Sequence, residues 1–290
     1  MIKILVTGAN GQLGSEIRKA SALLPEMEFC FTDVAELDIT IPEKVAAFLA
    51  EIKPEYLINC AAYTNVDKAE TDLEMATLLN ATAVGILAEQ SAKAGCKIIH
   101  ISTDYVFDGN GPRPYKEDNP VDPQSAYGKT KLEGEILCQK FNPESLIIRT
   151  SWLYSAFGNN FVKTMIRMGN ERSELGVISD QIGSPTNAAD LALAILSIIS
   201  ATARGEKPFV PGIYHYSNEG VASWYDFTKA IFEIGKINCY VKPIATEEYP
   251  SPVKRPPYSV MNKSKIKLIF GIQISHWRDS LTEYFQIKNQ

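Results

Sequence analysis

A chain of 290 residues, 45% of them hydrophobic, can bury a substantial core, which excludes a disordered protein and suggests one large or two intimate domains. The formal net charge of −5, with no long run of Lys or Arg, provides no electrostatic footprint for a nucleic-acid backbone or an anionic membrane, so neither is expected as a partner. No stretch of about 18 apolar residues could span a bilayer, no secretory signal is recognisable at the amino terminus, and Cys30, Cys60, Cys96, Cys138 and Cys239 are odd in number and far apart, as reduced thiols are. A soluble cytoplasmic protein acting on small molecules is expected.

The first half alternates short β-branched apolar runs with longer amphipathic ones. "IKILVTG" reads as a strand, Gln12 to Leu24 as a helix, "MEFCFTD" as a second strand and "PEKVAAFLAEIK" as a second helix. "EYLINCAA" follows as a third strand, "KAETDLEMATLLNATAVGILAEQSAKAG" as one long helix, "CKIIHIS" as a fourth strand, "SAYGKTKLEGE" as a helix start and "SLIIRTSW" as a fifth strand. Such alternation implies βαβ crossovers and a doubly wound, mostly parallel sheet covered on both faces. Beyond Trp152 the pattern loosens into "SAFGNN", "SDQIGSPTN", "ARGEKPFVPG" and "YPSPVKRPPYS", with helices near Ala188 to Ala203 and Ser223 to Gly235. The expected division is a dinucleotide-binding domain over 1–150 and a smaller α/β domain over 151–290, with later segments returning to the first.

Directly after the first strand, Gly8-Ala9-Asn10-Gly11-Gln12-Leu13-Gly14 opens a helix with G-x-x-G-x-x-G spacing. Glycines there let the backbone turn tightly and approach a pyrophosphate, which the helix amino terminus attracts through its N–H groups and dipole. This is the signature of a Rossmann-type fold holding a nicotinamide dinucleotide. Asp33, at the end of the second strand, can accept hydrogen bonds from the adenosine ribose and leans toward NADH, although neighbouring basic residues could accommodate NADPH. Asp38 and Ile39 either line the adenine pocket or belong to a turn before the helix at Pro42. Ala61 and Ala62, after the third strand, allow close backbone access.

The fourth strand brings Ser102, Thr103 and Asp104 to the same rim, and the helix starting near Ser125 projects Tyr127 and Lys131 from one face at i and i+4. Each has a plain structural alternative: a strand-end cap for Thr103, a surface aromatic for Tyr127, a solvated charge for Lys131. Together they suit proton transfer, since an ammonium close to a phenol favours the phenolate and lowers a pKa that is otherwise about 10. His100, His215 and His276 are scattered, so no metal site is expected, and His100 within "KIIHIS" reads as a buried, satisfied histidine.

Taken together, "GANGQLG", "NCAAYTNVDKAE", "STDYVFDG", "YGKTKLEGE", "RTSWLY", "GNNFVKTM" and "DQIGSPT" resemble the extended short-chain dehydrogenase/reductase superfamily and, within it, the dTDP-4-dehydrorhamnose reductase family. "GIYHYSNEGVASWYDF" and "KRPPYSVMN" extend the likeness to about residue 262. The resemblance implies NADPH or NADH as cofactor and dTDP-4-dehydro-L-rhamnose as substrate. It assigns Gly11, Gln12, Leu13, Asp33, Asp38, Ile39, Ala62, Tyr63 and Thr64 to the dinucleotide, Tyr127 to proton donation and Lys131 to its support and to the nicotinamide ribose. Thr103 and Asp104 would touch the sugar, and Trp152 would pack on it, unless it is a core aromatic between domains.

Some relatives carry a magnesium ion held by glutamates at a dimer interface; here Glu16 is available but "NAADLAL" offers only Asp190, so no bound metal is expected and a homodimer is left open. Arg255 in "VKRPPYS" is a candidate for the substrate diphosphate, because a guanidinium grips phosphate bidentately, and equally reads as a solvent-exposed arginine. Two other readings stand beside the reductase. One is a cofactor-binding regulatory subunit of the kind that attends methionine adenosyltransferase, the other a nucleotide-sugar epimerase.

Overall fold

Aliphatic side chains at four of the six positions of "IKILVT", three of them consecutive, suit a strand covered on both faces. In the computed structural model, which describes residues 1–251 and 253–288, this is β1 (Ile2–Thr7). Pro252, within the expected loop "YPSPVKRPPYS", and residues 289–290 lie outside the described residues. The chain continues through α1 (Gln12–Ser21), β2 (Met27–Thr32), α2 (Pro42–Ile52), whose Pro42 sits at the first helical position, and β3 (Tyr56–Asn59).

The single long helix expected next is interrupted once, at residues 70–72: a short α3 (Val66–Ala69) precedes it, and α4 (Leu73–Thr77), a π-helical turn (Leu78–Thr82) and α5 (Ala83–Lys93) then run on without a gap. Asn80 sits in the π turn. Its fully buried amide accepts from the Tyr63 backbone N–H at 2.8 Å and donates to the Tyr63 carbonyl at 3.1 Å and to Thr130 Oγ1 at 3.2 Å. A widened turn aims that side chain inward where regular α geometry would not. Then come β4 (Lys97–Thr103), α6 (Ala126–Phe141), capped by Ser125 Oγ accepting from the Gly128 N–H, and β5 (Leu146–Thr150).

The second half contains β6 (Leu153–Tyr154), α7 (Phe161–Glu171), β7 (Glu174–Ile178), β8 (Ile182–Gly183), β9 (Thr186–Asn187), α8 (Ala188–Ala203), β10 (Gly212–His215), β11 (Ala222–Ser223), α9 (Trp224–Gly235), β12 (Tyr240–Ile244), α10 (Ser264–Phe270) and α11 (Trp277–Lys288). Among the described residues no helix is long and apolar enough to cross a membrane.

Six strands form one parallel sheet in the order β2-β1-β3-β4-β5-β10, so β10 returns from the second half to its edge. One face buries Ile4 and Val6 against Ile17 of α1, Leu191 and Ile195 of α8 and Phe270 of α10. The opposite face buries Leu5 and Leu57 against Leu49 of α2 and Val84 and Leu87 of α5. Each such side chain removed from water contributes about 1.5–3 kcal/mol. A separate apolar cluster joins Val162 of α7, Phe227 and Ile231 of α9, and Trp277 and Leu281 of α11. The winding direction reverses between β1 and β3, which opens a crevice at their carboxyl ends, where ligands bind in sheets of this kind.

Candidate active site

Gly8, directly after β1, adopts the left-handed region at φ +65°, and a side chain there would overlap the backbone of Cys60 and Ala61. A methyl group at Gly14 would overlap the Gly8 carbonyl oxygen, so the loop packs tightly under the start of α1. Gly11 occupies the N-cap with no side-chain cap, which leaves the positive end of α1 open to an anion. The Asp33 carboxylate accepts from the Asn10 and Val34 N–H groups at 3.0 and 2.9 Å, tying the end of β2 to the loop. This cradle of small residues, open N–H groups and a fixed carboxylate fits a dinucleotide.

Asp38 closes a turn by accepting from the Thr40 N–H and hydroxyl at 3.0 and 2.6 Å, and those bonds hold its carboxyl below the usual range. Ile39 belongs to the core against α2. Tyr63, between Ala62 and Thr64, is anchored by Asn80 and donates its phenol to Asp72 at 3.0 Å.

Thr103, the last residue of β4, and Tyr127, in the first turn of α6, meet at the same rim, and the Thr103 hydroxyl bonds to Asp104 Oδ1 at 3.1 Å. Asp104 is 2% exposed and its carboxyl is pushed up to about 6 by burial, against the pull of the Ser259 and Thr103 hydroxyls. Burial also raises the Tyr127 phenol; the Thr103 hydroxyl works against this, while Asp104 and Tyr105 add to it.

Here the geometry corrects the expectation that Lys131 lowers the phenol. The Lys131 Nζ donates to the Ile101 carbonyl at 2.6 Å and lies 3.5 Å from His100 Nε2, and its own pKa is pushed down to about 8 by burial. The phenol of Tyr127 is therefore a protonated group, suited to giving its proton to an oxygen at the rim.

The buried His100 expected from the sequence belongs to a polar layer between the sheet and α6, whose other members, Ser102, Glu135 and Arg149, sequence reasoning missed. His100 and Ser102, two apart on β4, face Lys131 and Glu135, four apart on α6. Glu135 accepts from Ser102 Oγ at 2.5 Å and pairs with Arg149 of β5 through bonds of 2.9 and 2.7 Å, both side chains 2% exposed. Removing one partner of such a pair typically costs about 3–5 kcal/mol. The readable signal was two polar residues at inward positions of an otherwise apolar strand.

Trp152, just beyond β5, adopts φ +48°, a strained conformation for a large side chain. Its indole stacks on Trp224 with centroids 3.5 Å apart, and Gly183 leaves room for it. Arg255 spans the cleft rather than standing free: it donates to Asp67 Oδ1 and Oδ2 at 2.8 and 3.0 Å and to the Tyr105 hydroxyl at 3.3 Å. Tyr105 in turn lies edge-on to Tyr127, centroids 5.5 Å apart. The segment between β6 and α7 closes onto the glycine loop, with Ser155 donating to the buried Glu16 at 2.7 Å and Asn160 to Gln12 at 3.0 Å. Asp190 accepts from Asn218 and Ser280.

Residues 2–289 match the family model described as the RmlD substrate binding domain. The dTDP-4-dehydrorhamnose reductase of Aggregatibacter actinomycetemcomitans is 42% identical over 97% of each chain. Among solved structures, a dTDP-4-dehydrorhamnose reductase from Clostridium acetobutylicum is 45% identical with a TM-score of 0.94 over 100% of both chains. That of Bacillus anthracis, solved in complex with NADP, is 40% identical with a TM-score of 0.93 over 99% of this chain and 100% of the other. A fold shared from end to end, at these identities and with the glycine cradle and the Thr103, Tyr127 and Lys131 rim in one crevice, means that the chain belongs to the RmlD substrate-binding-domain family, to which the dTDP-4-dehydrorhamnose reductases belong.

Proposed function

We propose that this protein is an NAD(P)H-dependent reductase that converts the C4 ketone of dTDP-4-dehydro-L-rhamnose to the alcohol of dTDP-L-rhamnose. The observation that carries the reading is the convergence of Thr103, Tyr127 and Lys131 at the carboxyl rim, beside the glycine cradle, in a chain about 40% identical end to end to reductases of this name. That likeness favours the reductase over a regulatory subunit. When bound, the nicotinamide supplies a hydride to C4. Tyr127 gives its proton to the ketone oxygen as that oxygen gains charge, and Thr103 orients the oxygen toward the phenol.

Lys131 holds the nicotinamide ribose, and Gly8 to Gly14 with Asp33 hold the rest of the dinucleotide. Asp104 and Trp152 line the sugar's side. Arg255 meets the diphosphate, exchanging Asp67 for phosphate oxygens. The domain over 151–290 mainly forms the substrate side, and a cytoplasmic location suits a nucleotide-sugar substrate.

Mixing the protein with the ketosugar nucleotide and either NADPH or NADH is expected to consume the cofactor's absorbance. Tyr127→Phe is expected to slow turnover by about 10²–10⁴ while leaving cofactor binding intact. Absence of cofactor oxidation with both dinucleotides would sink the assignment.

A further inference from the structure

Three hydrogen bonds decide which nitrogen of His100 carries the hydrogen. The Ala61 backbone N–H is an obligate donor and lies 3.1 Å from one amide atom of Asn59, so that atom is Oδ1, which also accepts from the Thr7 hydroxyl at 2.8 Å. The other amide atom, Nδ2, then donates to His100 Nδ1 at 3.1 Å. A ring nitrogen that accepts bears no hydrogen, and burial keeps this ring neutral, so the hydrogen sits on Nε2. Thr7, Asn59 and His100 stand in register across β1, β3 and β4, each at most 1% exposed, so the strand pairing itself builds the chain. Its end, the Nε2–H, faces Lys131 Nζ at 3.5 Å.

We propose that His100, locked as the Nε2–H tautomer by Asn59 and Thr7, is a positioning residue for Lys131. It presents a donor where an ammonium needs an acceptor, which leaves the Ile101 carbonyl as the sheet-side acceptor and turns the remaining N–H groups toward the cleft. The inference rests on the reductase reading only for the purpose of that orientation. The other groups facing the lysine are Glu135 and Cys138 from α6 and Cys60 from the loop after β3, and Glu135 is already engaged by Arg149 and Ser102. Lys131 is thus ionised at pH 7 and loses its proton, and its hold on the ribose, as pH rises through about 8.

Asn59→Asp reverses the wiring. A carboxylate keeps the Thr7 and Ala61 contacts but takes a hydrogen from Nδ1, making Nε2 an acceptor that draws the ammonium inward. The basic limb of kcat is expected to move up by about one pH unit and kcat to fall about tenfold, with KM for the nucleotide sugar unchanged. His100→Gln, whose amide N–H stands near the position of Nε2–H, is expected to keep the limb and most of kcat, whereas His100→Leu loses kcat about as Asn59→Asp does.

Side-chain ¹⁵N spectra of the wild-type protein, with the His100 signals identified by their loss in His100→Gln, are expected to show the Nε2–H tautomer from pH 6 to 9. An Nδ1–H or imidazolium form, an unmoved limb in folded Asn59→Asp, or His100→Leu turning over like wild type overturns the proposal. If Asn59→Asp does not fold by circular dichroism, the spectra and the His100 pair decide. The spectra need no substrate, so failure of the tautomer is separable from failure of the reductase reading.

Discussion

Lys131 is 1% exposed, and its pKa falls from 10.5 to about 8 chiefly because burial penalises the ammonium, with Glu135 opposing. The folded state therefore binds this proton less tightly than the unfolded chain. Between about 8 and 10.5 stability rises with pH, and at pH 7, below both values, the whole cost is present, about 3 kcal/mol at 1.4 kcal/mol per pH unit. Lys131→Met removes the buried charge and keeps the aliphatic stem, at the loss of one bond to the Ile101 carbonyl. Turnover is expected to fall at least a hundredfold while the thermal midpoint at pH 7 rises by a few degrees, about 2–4 °C per kcal/mol in a chain of this size. A lower midpoint, read by calorimetry, would show that the lysine stabilises the fold after all. The sequence spacing brought Tyr127 and Lys131 to one helix face, but which acceptor the lysine chooses depends on the Ile101 carbonyl and the His100 tautomer, contacts 30 and 31 residues away that no local pattern encodes.

At the scale of the element, α6 carries both Tyr127 and Lys131 and is seated by two glycines. A methyl group at Gly128 would overlap the Tyr105 carbonyl and one at Gly134 the Asn80 carbonyl, so the helix lies directly on the π turn. Gly134→Ala is expected to lose about 1–3 kcal/mol or more in urea unfolding, because backbone rather than a flexible side chain must move. Gly85→Ala, on the facing helix α5, meets only the side chains of Leu137 and Phe141, at 3.4 to 3.6 Å, and is expected to be neutral or to gain up to about 1 kcal/mol from helix propensity. Equal losses at both sites would refute this account of the seat. The strands of the first half were legible because apolar β-branched runs bounded by Gly, Pro or Asp have few alternatives; β1, β2, β4 and β5 follow that reading closely, while β3 stops at Asn59, halfway through its expected run. The long helix follows its expected course from Leu73 to Lys93, and the π turn within it was not legible because helical periodicity runs through it and Asn80 bonds to Tyr63, 17 residues back. In the second half α8 and α9 were visible by length and apolar content, while α7, α11 and the paired β7 and β12 were not singled out, since their stability comes from packing on one another.

The whole molecule keeps two histidines neutral in its interior, His100 beneath Lys131 and His215 on β10, beside Arg149 and edge-on to Phe107. Burial first, and the Arg149 charge second, push His215 down to about 3, against weak support from backbone carbonyls at Asn262 and Tyr115. A base whose pKa is depressed in the folded state has the same linkage sign as a carboxylate depressed by pairing, because in both the unfolded chain binds the proton more tightly. Stability is fully present above the unfolded value of about 6.5 and is lost as pH falls, by about 1.4 kcal/mol per pH unit for each such histidine. Asp104 works the other way: its carboxyl, raised to about 6, takes up a proton in the folded state first and offsets one histidine between about 6 and 3.8. Urea midpoints are therefore expected to fall from pH 7 to pH 5. His215→Leu removes one of the two histidine protonations; the residue sits on the edge strand β10, with its ring beside Arg149 and edge-on to Phe107. Relative to wild type, this variant is expected to gain about 2 kcal/mol between pH 7 and pH 5, whatever its offset at pH 7. Parallel stability curves for the two proteins would mean that His215 is already charged in the folded state, and that the Arg149 and Glu135 pair beside it carries a different electrostatic balance.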